Sequence, residues 1–314
     1  MKKLGFIWLS VSLSLFFVLN SCSDSESYSD ADKKPINPME KVGIEHNNLM
    51  ALFTKKLEKS YMNKEWNNID FLSEDYVDKF ATLTNEVSHE YYKDSKSTVA
   101  IQKNYYNKLQ INSWFKKNDE NTMLDLAAVA LDKEVILTRS NTGEMIEEKL
   151  TEKDKKFTKN LLLALAEVSD KEYKSEEEAF FELKKVVDEQ EKIIISQKWL
   201  SNEKSALGAL AIAKYSTMFW EKYDFSIYQK KNTSAMTRSS SDYSQKKKRG
   251  ISVVFADTAG YVVGGVTGGL GGSFAGPAGT IGGVMGGKLA GSWLASGAAV
   301  TAFSIWDSLC DAFS

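Results

Sequence analysis

Cysteine, histidine and proline are scarce in this chain of 314 residues, and glycine is nearly missing from its first 250. Each shortage excludes something. Two cysteines, Cys22 and Cys310, cannot build a disulfide framework. The two histidines, His46 and His89, have no partner at H-x-x-x-H or C-x-x-C spacing, so no metal site is expected and the pair reads as ordinary surface or half-buried histidines. No Gly-x-Ser-x-Gly elbow and no Walker sequence occurs; Gly286-Gly287-Lys288 is followed by Leu289, without the hydroxyl a phosphate loop places on magnesium. The sequence therefore predicts no enzyme and no cofactor. Charge excludes a further class. Acidic and basic residues number 42 and 40, and Lys246-Lys247-Lys248-Arg249 is the one basic cluster. A single cluster without interleaved aromatics gives no nucleic-acid footprint.

The prolines are Pro35, Pro38 and Pro277, so residues 39–231 hold none, and they hold only three glycines. A long segment without breakers predicts helices. Apolar side chains support this by recurring at three- and four-residue steps: Ile69, Leu72, Tyr76, Phe80, Leu83 and Val87, then Leu161, Leu165 and Val168, then Phe180, Leu183 and Val187. Ala206, Leu210, Ala213, Tyr215 and Phe219 continue the pattern. The expected fold class is all-α: an irregular bundle of six to eight helices, followed by a Gly-rich antiparallel helical hairpin. Val135-Ile136-Leu137 is the ambiguous place, a short strand with Asn141-Thr142-Gly143 as its turn. Glu176-Glu177-Glu178 reads as a solvated helix face. The aromatic pairs Tyr91-Tyr92, Tyr105-Tyr106, Trp114-Phe115 and Phe219-Trp220 read as core first and as a partner groove second.

The chain opens with Lys2 and Lys3 and an uncharged apolar run over residues 4–19, of signal-peptide length and short for a membrane span. The run closes in Leu19-Asn20-Ser21-Cys22, which resembles the lipobox of bacterial lipoproteins. The resemblance implies that residues 1–21 are a signal peptide and that Cys22, acylated with palmitate-type chains, becomes the first mature residue. Each buried CH₂ contributes about 0.8 kcal/mol, so several acyl chains hold a protein on a membrane durably. Loss of Lys2 and Lys3 takes the net charge from −2 to −4. With Cys22 lipidated, Cys310 is a small apolar residue or the site of an intermolecular bridge. Residues 22–38 read as an acidic, Ser-rich tether that resembles the surface-export tract of some Gram-negative lipoproteins. The expected location is the cell envelope, on the outer membrane or cell surface.

Beyond a Ser/Thr and basic linker at 232–250, composition inverts. Residues 251–314 carry 15 of the 20 glycines, and their only charged side chains are Asp257, Lys288, Asp307 and Asp311. The glycines keep a register. Gly260, Gly264, Gly268, Gly272 and Gly276 stand four apart; past Pro277-Ala278, so do Gly279, Gly283, Gly287 and Gly291, followed by Ala295 and Ala299. Four-residue spacing puts each series on one helix face. A turn at Pro277 and Ala278 sets Gly264 level with Gly291, Gly268 with Gly287, Gly272 with Gly283, Gly276 with Gly279, and Ala295 with Gly260. Such faces let two backbones approach closely. Glycine costs about 1 kcal/mol per helical position in water, so the hairpin is expected in an apolar setting. Each arm is long enough for a bilayer, with Tyr261, Trp293 and Trp306 as interface anchors. Lys288 near mid-depth, and the basic cluster on the exported side, argue against simple insertion.

The lipobox and this tail together resemble the glycine-zipper outer-membrane lipoproteins, and the tail alone resembles class II bacteriocins. The first resemblance implies a lipid-anchored envelope protein whose hairpin serves membrane association or self-assembly. The second implies a membrane-perturbing toxin. A third possibility is a soluble interaction lipoprotein with the hairpin packed on its own body. The membrane is the expected partner, self-association is a possible second, and no protein partner is specified.

Overall fold

The computed structural model describes residues 36–63, 65–66, 69–70, 72–93, 95–109, 120–132, 135–139, 145–201, 203–225, 249–267 and 288–301. All of them lie in one compact unit from Ile36 to Ser314. Among the described residues the fold is all-α apart from one two-stranded ribbon, and seven helices form the body: α1 Glu40–Met62, α2 Glu74–Tyr91, α3 Val99–Lys108, α4 Glu120–Asp132, α5 Glu152–Asp170, α6 Glu176–Ile195 and α7 Ser205–Trp220. Two more come from the tail, α8 Arg249–Thr267 and α9 over 288–301. Between α4 and α5, β1 Val135–Arg139 pairs antiparallel with β2 Met145–Lys149, from Val135 opposite Lys149 to Arg139 opposite Met145. The expected turn at Asn141-Thr142-Gly143 lies outside the described residues.

Helix starts are set by short polar side chains. Ser73, Thr98, Thr151 and Ser175 each accept a hydrogen bond from the backbone N–H three residues on, which satisfies one donor that the first turn leaves unpaired. Glu176, Glu177 and Glu178 occupy the first turn of α6, where the helix dipole favours negative charge. The periodic run from Ile69 differs from its expected form. Asp70 Oδ1 accepts from Leu72 N–H at 2.9 Å and Ser73 caps the helix, so Ile69 and Leu72 precede α2 although they keep its rhythm.

The centre of the molecule is α7, which packs against α1, α5, α6 and α8. Every residue from Ser205 to Ala213 is buried, as expected of a helix enclosed by others. Asn37, just before α1, is pinned to α7 by donating to Leu207 O at 2.8 Å. Asp154 of α5 caps it by accepting from Ala206 N–H at 2.9 Å. Tyr105, Tyr106 and Trp220 are core residues, Tyr91, Tyr92 and Phe219 pack partly buried against that core, and Trp114-Phe115 lies outside the described residues.

Candidate functional site

The tail helices sit inside the body. Every residue of α8 from Ile251 to Gly264 is buried except the half-buried Ser252, and so is every residue of 288–301. Around α8 stand α4, α5, α6, α7 and β1. Tyr261 and Trp293, expected as interface anchors, are interior residues: Trp293 meets Phe53 edge-on with ring centroids 6.4 Å apart, and Phe53 meets Phe80 at 6.0 Å. Trp306 lies outside the described residues. No helix among the described residues is long and apolar enough to cross a membrane.

Three of the glycines singled out by their spacing come together here. A Cβ built on Gly260 would stand 2.5 Å from Ala295 Cβ and 2.6 Å from Gly291 O. One built on Gly291 would run into Gly260 O and stand 2.5 Å from Gly264 Cα. Gly291 thus lies between Gly260 and Gly264 while Ala295 lies on Gly260, so α8 and α9 run antiparallel, backbone on backbone. Hydrogen bonds from the body fix both helices: Tyr105 Oη donates to Gly264 O and Tyr76 Oη to Ala298 O, each at 3.3 Å. Gly268, Gly272, Gly276, Pro277, Ala278, Gly279, Gly283 and Gly287 lie outside the described residues, as does Cys22.

Both charged side chains described in residues 251–314 have polar company in the body. Lys288 is buried; its Nζ donates to Ser205 Oγ at 3.3 Å and lies 5.7 Å from the centre of the Tyr261 ring. Asp257 stands in a sealed cluster drawn from four helices. Ser216 of α7 donates to its Oδ2, as does Trp220 Nε1 at 2.9 Å. His46 of α1 places Nε2 3.5 Å from the same oxygen and 3.2 Å from Ser296 Oγ of α9. Asp257 Oδ1 has no hydrogen-bond partner among the described residues. Burial pushes the Asp257 carboxyl well above the usual carboxylate range, against the pull of Ser216 and Trp220. Burial also lowers His46 to about 4, against the raising effect of Asn47.

His46 corrects the expectation of a surface or half-buried histidine, since it is wholly buried. Its position between Val42 and Leu49, Met50 and Phe53 on the buried face of α1 was the available signal. His, Asp and Ser are the residue types of a hydrolase, but not in its order. Ser296 and Asp257 reach the same ring nitrogen, whereas a relay needs the carboxylate on Nδ1 and the hydroxyl on Nε2. The cluster is also closed to solvent. Its chemistry is that of a polar tie between tail and body.

A more open feature is a cleft of about 280 Å³ lined by Ser60, Glu65, Trp66, Lys79, Thr82, Leu83 and Glu86, between the end of α1 and the middle of α2. Lys79 already serves Glu65 O at 2.8 Å and Asp75 at 3.7 Å. No family model matches the chain, and neither does any curated protein or solved structure.

Proposed function

We propose that the chain is a lipid-anchored, non-enzymatic lipoprotein of the cell envelope, in which the glycine-rich tail forms the spine of its own helical body. On this reading the membrane is met by acyl chains on Cys22. The tether at 22–38 spaces the body from the surface, and the body presents its outer helices α2, α3 and α6 to an envelope partner. The tail does not enter the bilayer while the protein is folded.

The observation that carries the reading is the enclosure of α8 and α9. A glycine-rich helix needs an apolar setting, and the protein interior is one as much as a bilayer is. Polar contacts favour the interior. In a bilayer Asp257 and Lys288 would each cost about 2.5–3.5 kcal/mol on insertion scales. Here Ser216, Trp220 and Ser205 receive them.

Liposome flotation of the purified full chain tests the reading. The chain bearing lipid on Cys22 is expected to float, and Cys22→Ser is expected to stay with the soluble fraction and release no dye from loaded vesicles. Removal of residues 251–314 is expected to abolish cooperative unfolding of the body. Flotation or leakage by Cys22→Ser would instead support an inserting or bacteriocin-like tail. Oligomers that dissociate on Gly268→Leu would support self-assembly.

A further inference from the structure

We propose that His46 and Asp257 form a pH-sensitive lock, a pair that holds one proton between body and tail and loosens the tail when that proton leaves. The proposal stands on the cluster's geometry, whether or not Cys22 carries lipid.

Asn47 fixes the first point. Its amide nitrogen donates to Tyr215 O at 2.7 Å, and a carbonyl only accepts, so the amide orientation is determined. Asn47 Oδ1 is thereby turned toward His46 Nδ1 at 3.3 Å, and Nδ1 must carry a hydrogen. On the other side of the ring, Nε2 faces Asp257 Oδ2 at 3.5 Å. Without a further proton these are a lone pair and a carboxylate facing each other in the dry interior. With it they are a hydrogen-bonded pair of no net charge (acid and imidazole) or an ion pair, and both forms hold the same number of protons. Burial of both groups puts the proton on the Asp257 side. When it leaves, the donor that remains for Nε2 is the Ser296 hydroxyl, which at present gives its hydrogen to Ser292 O at 3.3 Å within α9. Deprotonation therefore leaves a buried anion on α8 and draws on a hydrogen bond of α9.

The groups facing the pair are neutral: Asn47 from α1, Ser216 and Trp220 from α7, Ser296 from α9. The charged neighbours on α1 and α7 are engaged at the surface, where Lys214 bridges Glu40 at 3.2 Å and Glu191 of α6 at 2.7 Å, and Glu45 takes the Tyr91 hydroxyl of α2. Elsewhere around α8 and α9, Tyr76 of α2 donates to Ala298 O of α9, Asp154 of α5 caps α7, and Lys288 of α9 lies by Ser205.

Unfolded, Asp257 titrates near 3.8 and His46 near 6.5. Above about pH 7 the unfolded pair holds no proton, so a folded pair that keeps its proton makes stability fall as pH rises. Between about 4 and 6.5 both states hold one, and the pair contributes no slope. The test is denaturant unfolding of the full chain in detergent at pH 7 and 8, with Asp257→Asn for comparison. The wild-type unfolding constant is expected to rise about tenfold more over that unit than the variant's. Equal rises would overturn the proposal. Should Asp257→Asn fail to fold, proton NMR of the wild type decides, because the chain has only two histidines and His89→Asn identifies His46. His46 is expected to show no titration step near pH 6.5; an ordinary step there would overturn the lock.

Discussion

Gly291 rests against Gly260 with no room for a side chain between them, since a Cβ on either would collide with the other's carbonyl oxygen. This contact brings the tail's two helices backbone to backbone, and it lies inside the body. Substitution there sets two effects against each other. Alanine is about 1 kcal/mol better than glycine in a helix. Overpacking a closed site costs about 1–3 kcal/mol. Backbone atoms and the Ala295 Cβ leave nothing flexible to move, so the second effect wins.

Gly260→Ala is expected to lower the thermal midpoint, and Gly260→Val to lower it further, read by circular dichroism of the full chain. A rise in the midpoint with alanine would mean that the helices part without cost and that their backbones do not need to touch.

Phe53 joins body to tail. It is fully buried, its ring packs on Phe80 and Trp293, and a Cβ on Gly297 would stand 2.9 Å from its tip. Phe53→Ala is expected to cost about 3–5 kcal/mol in denaturant unfolding. Phe181, 67 % exposed on α6, supplies the control, and its alanine variant should stay within about 0.5 kcal/mol of wild type.

Helices with one wet face were legible in the sequence. Tyr76, Phe80, Leu83 and Val87 mark the buried side of α2, and Leu161, Leu165 and Val168 that of α5. What encloses α8 and α9 was not. A helix apolar on all sides satisfies its backbone equally in lipid or in protein, and four-residue glycine spacing is the same in both. Asp257 and Lys288 distinguish the two settings only once Ser216, Trp220 and Ser205 are seen beside them. The polar partners of His46 were illegible for a related reason: Asp257 and Ser296 belong to helices far along the chain, and no spacing rule connects them to α1.

The start of α5 bears more than a cap. Thr151 Oγ1 accepts from Asp154 N–H at 3.1 Å and donates to Glu203 Oε1 at 2.9 Å, while Glu203 Oε2 accepts from Leu200 N–H at 2.8 Å. One hydroxyl thus ties α5 to the turn leading into α7. Ser73 has the capping role at α2, and its hydroxyl hydrogen goes to Asp70 O at 2.6 Å, three residues back, instead of to another helix. Ser73→Ala is expected to cost about 1 kcal/mol and Thr151→Ala more, measured by urea unfolding. Equal losses would show that the bond to Glu203 contributes no more than the local bond from Ser73 to Asp70.

Acid separates the two halves of the buried pair. A histidine whose folded value is about 4 and whose unfolded value is 6.5 contributes stability that is complete above 6.5 and lost as pH falls toward 4. A carboxyl raised by burial acts in the opposite direction: its contribution is complete below 3.8 and lost as pH rises through the folded value. In the wild type the two slopes cancel between about 4 and 6.5. Asp257→Asn removes the second and leaves the first, worth roughly 3 kcal/mol over that interval. Unfolding midpoints in urea should therefore stay level for the wild type between pH 6.5 and 4.5, relative to a His46→Gln, Asp257→Asn double variant, and fall for the Asp257→Asn single variant. Parallel lines for all three proteins would mean that His46 is as readily protonated in the folded protein as in water.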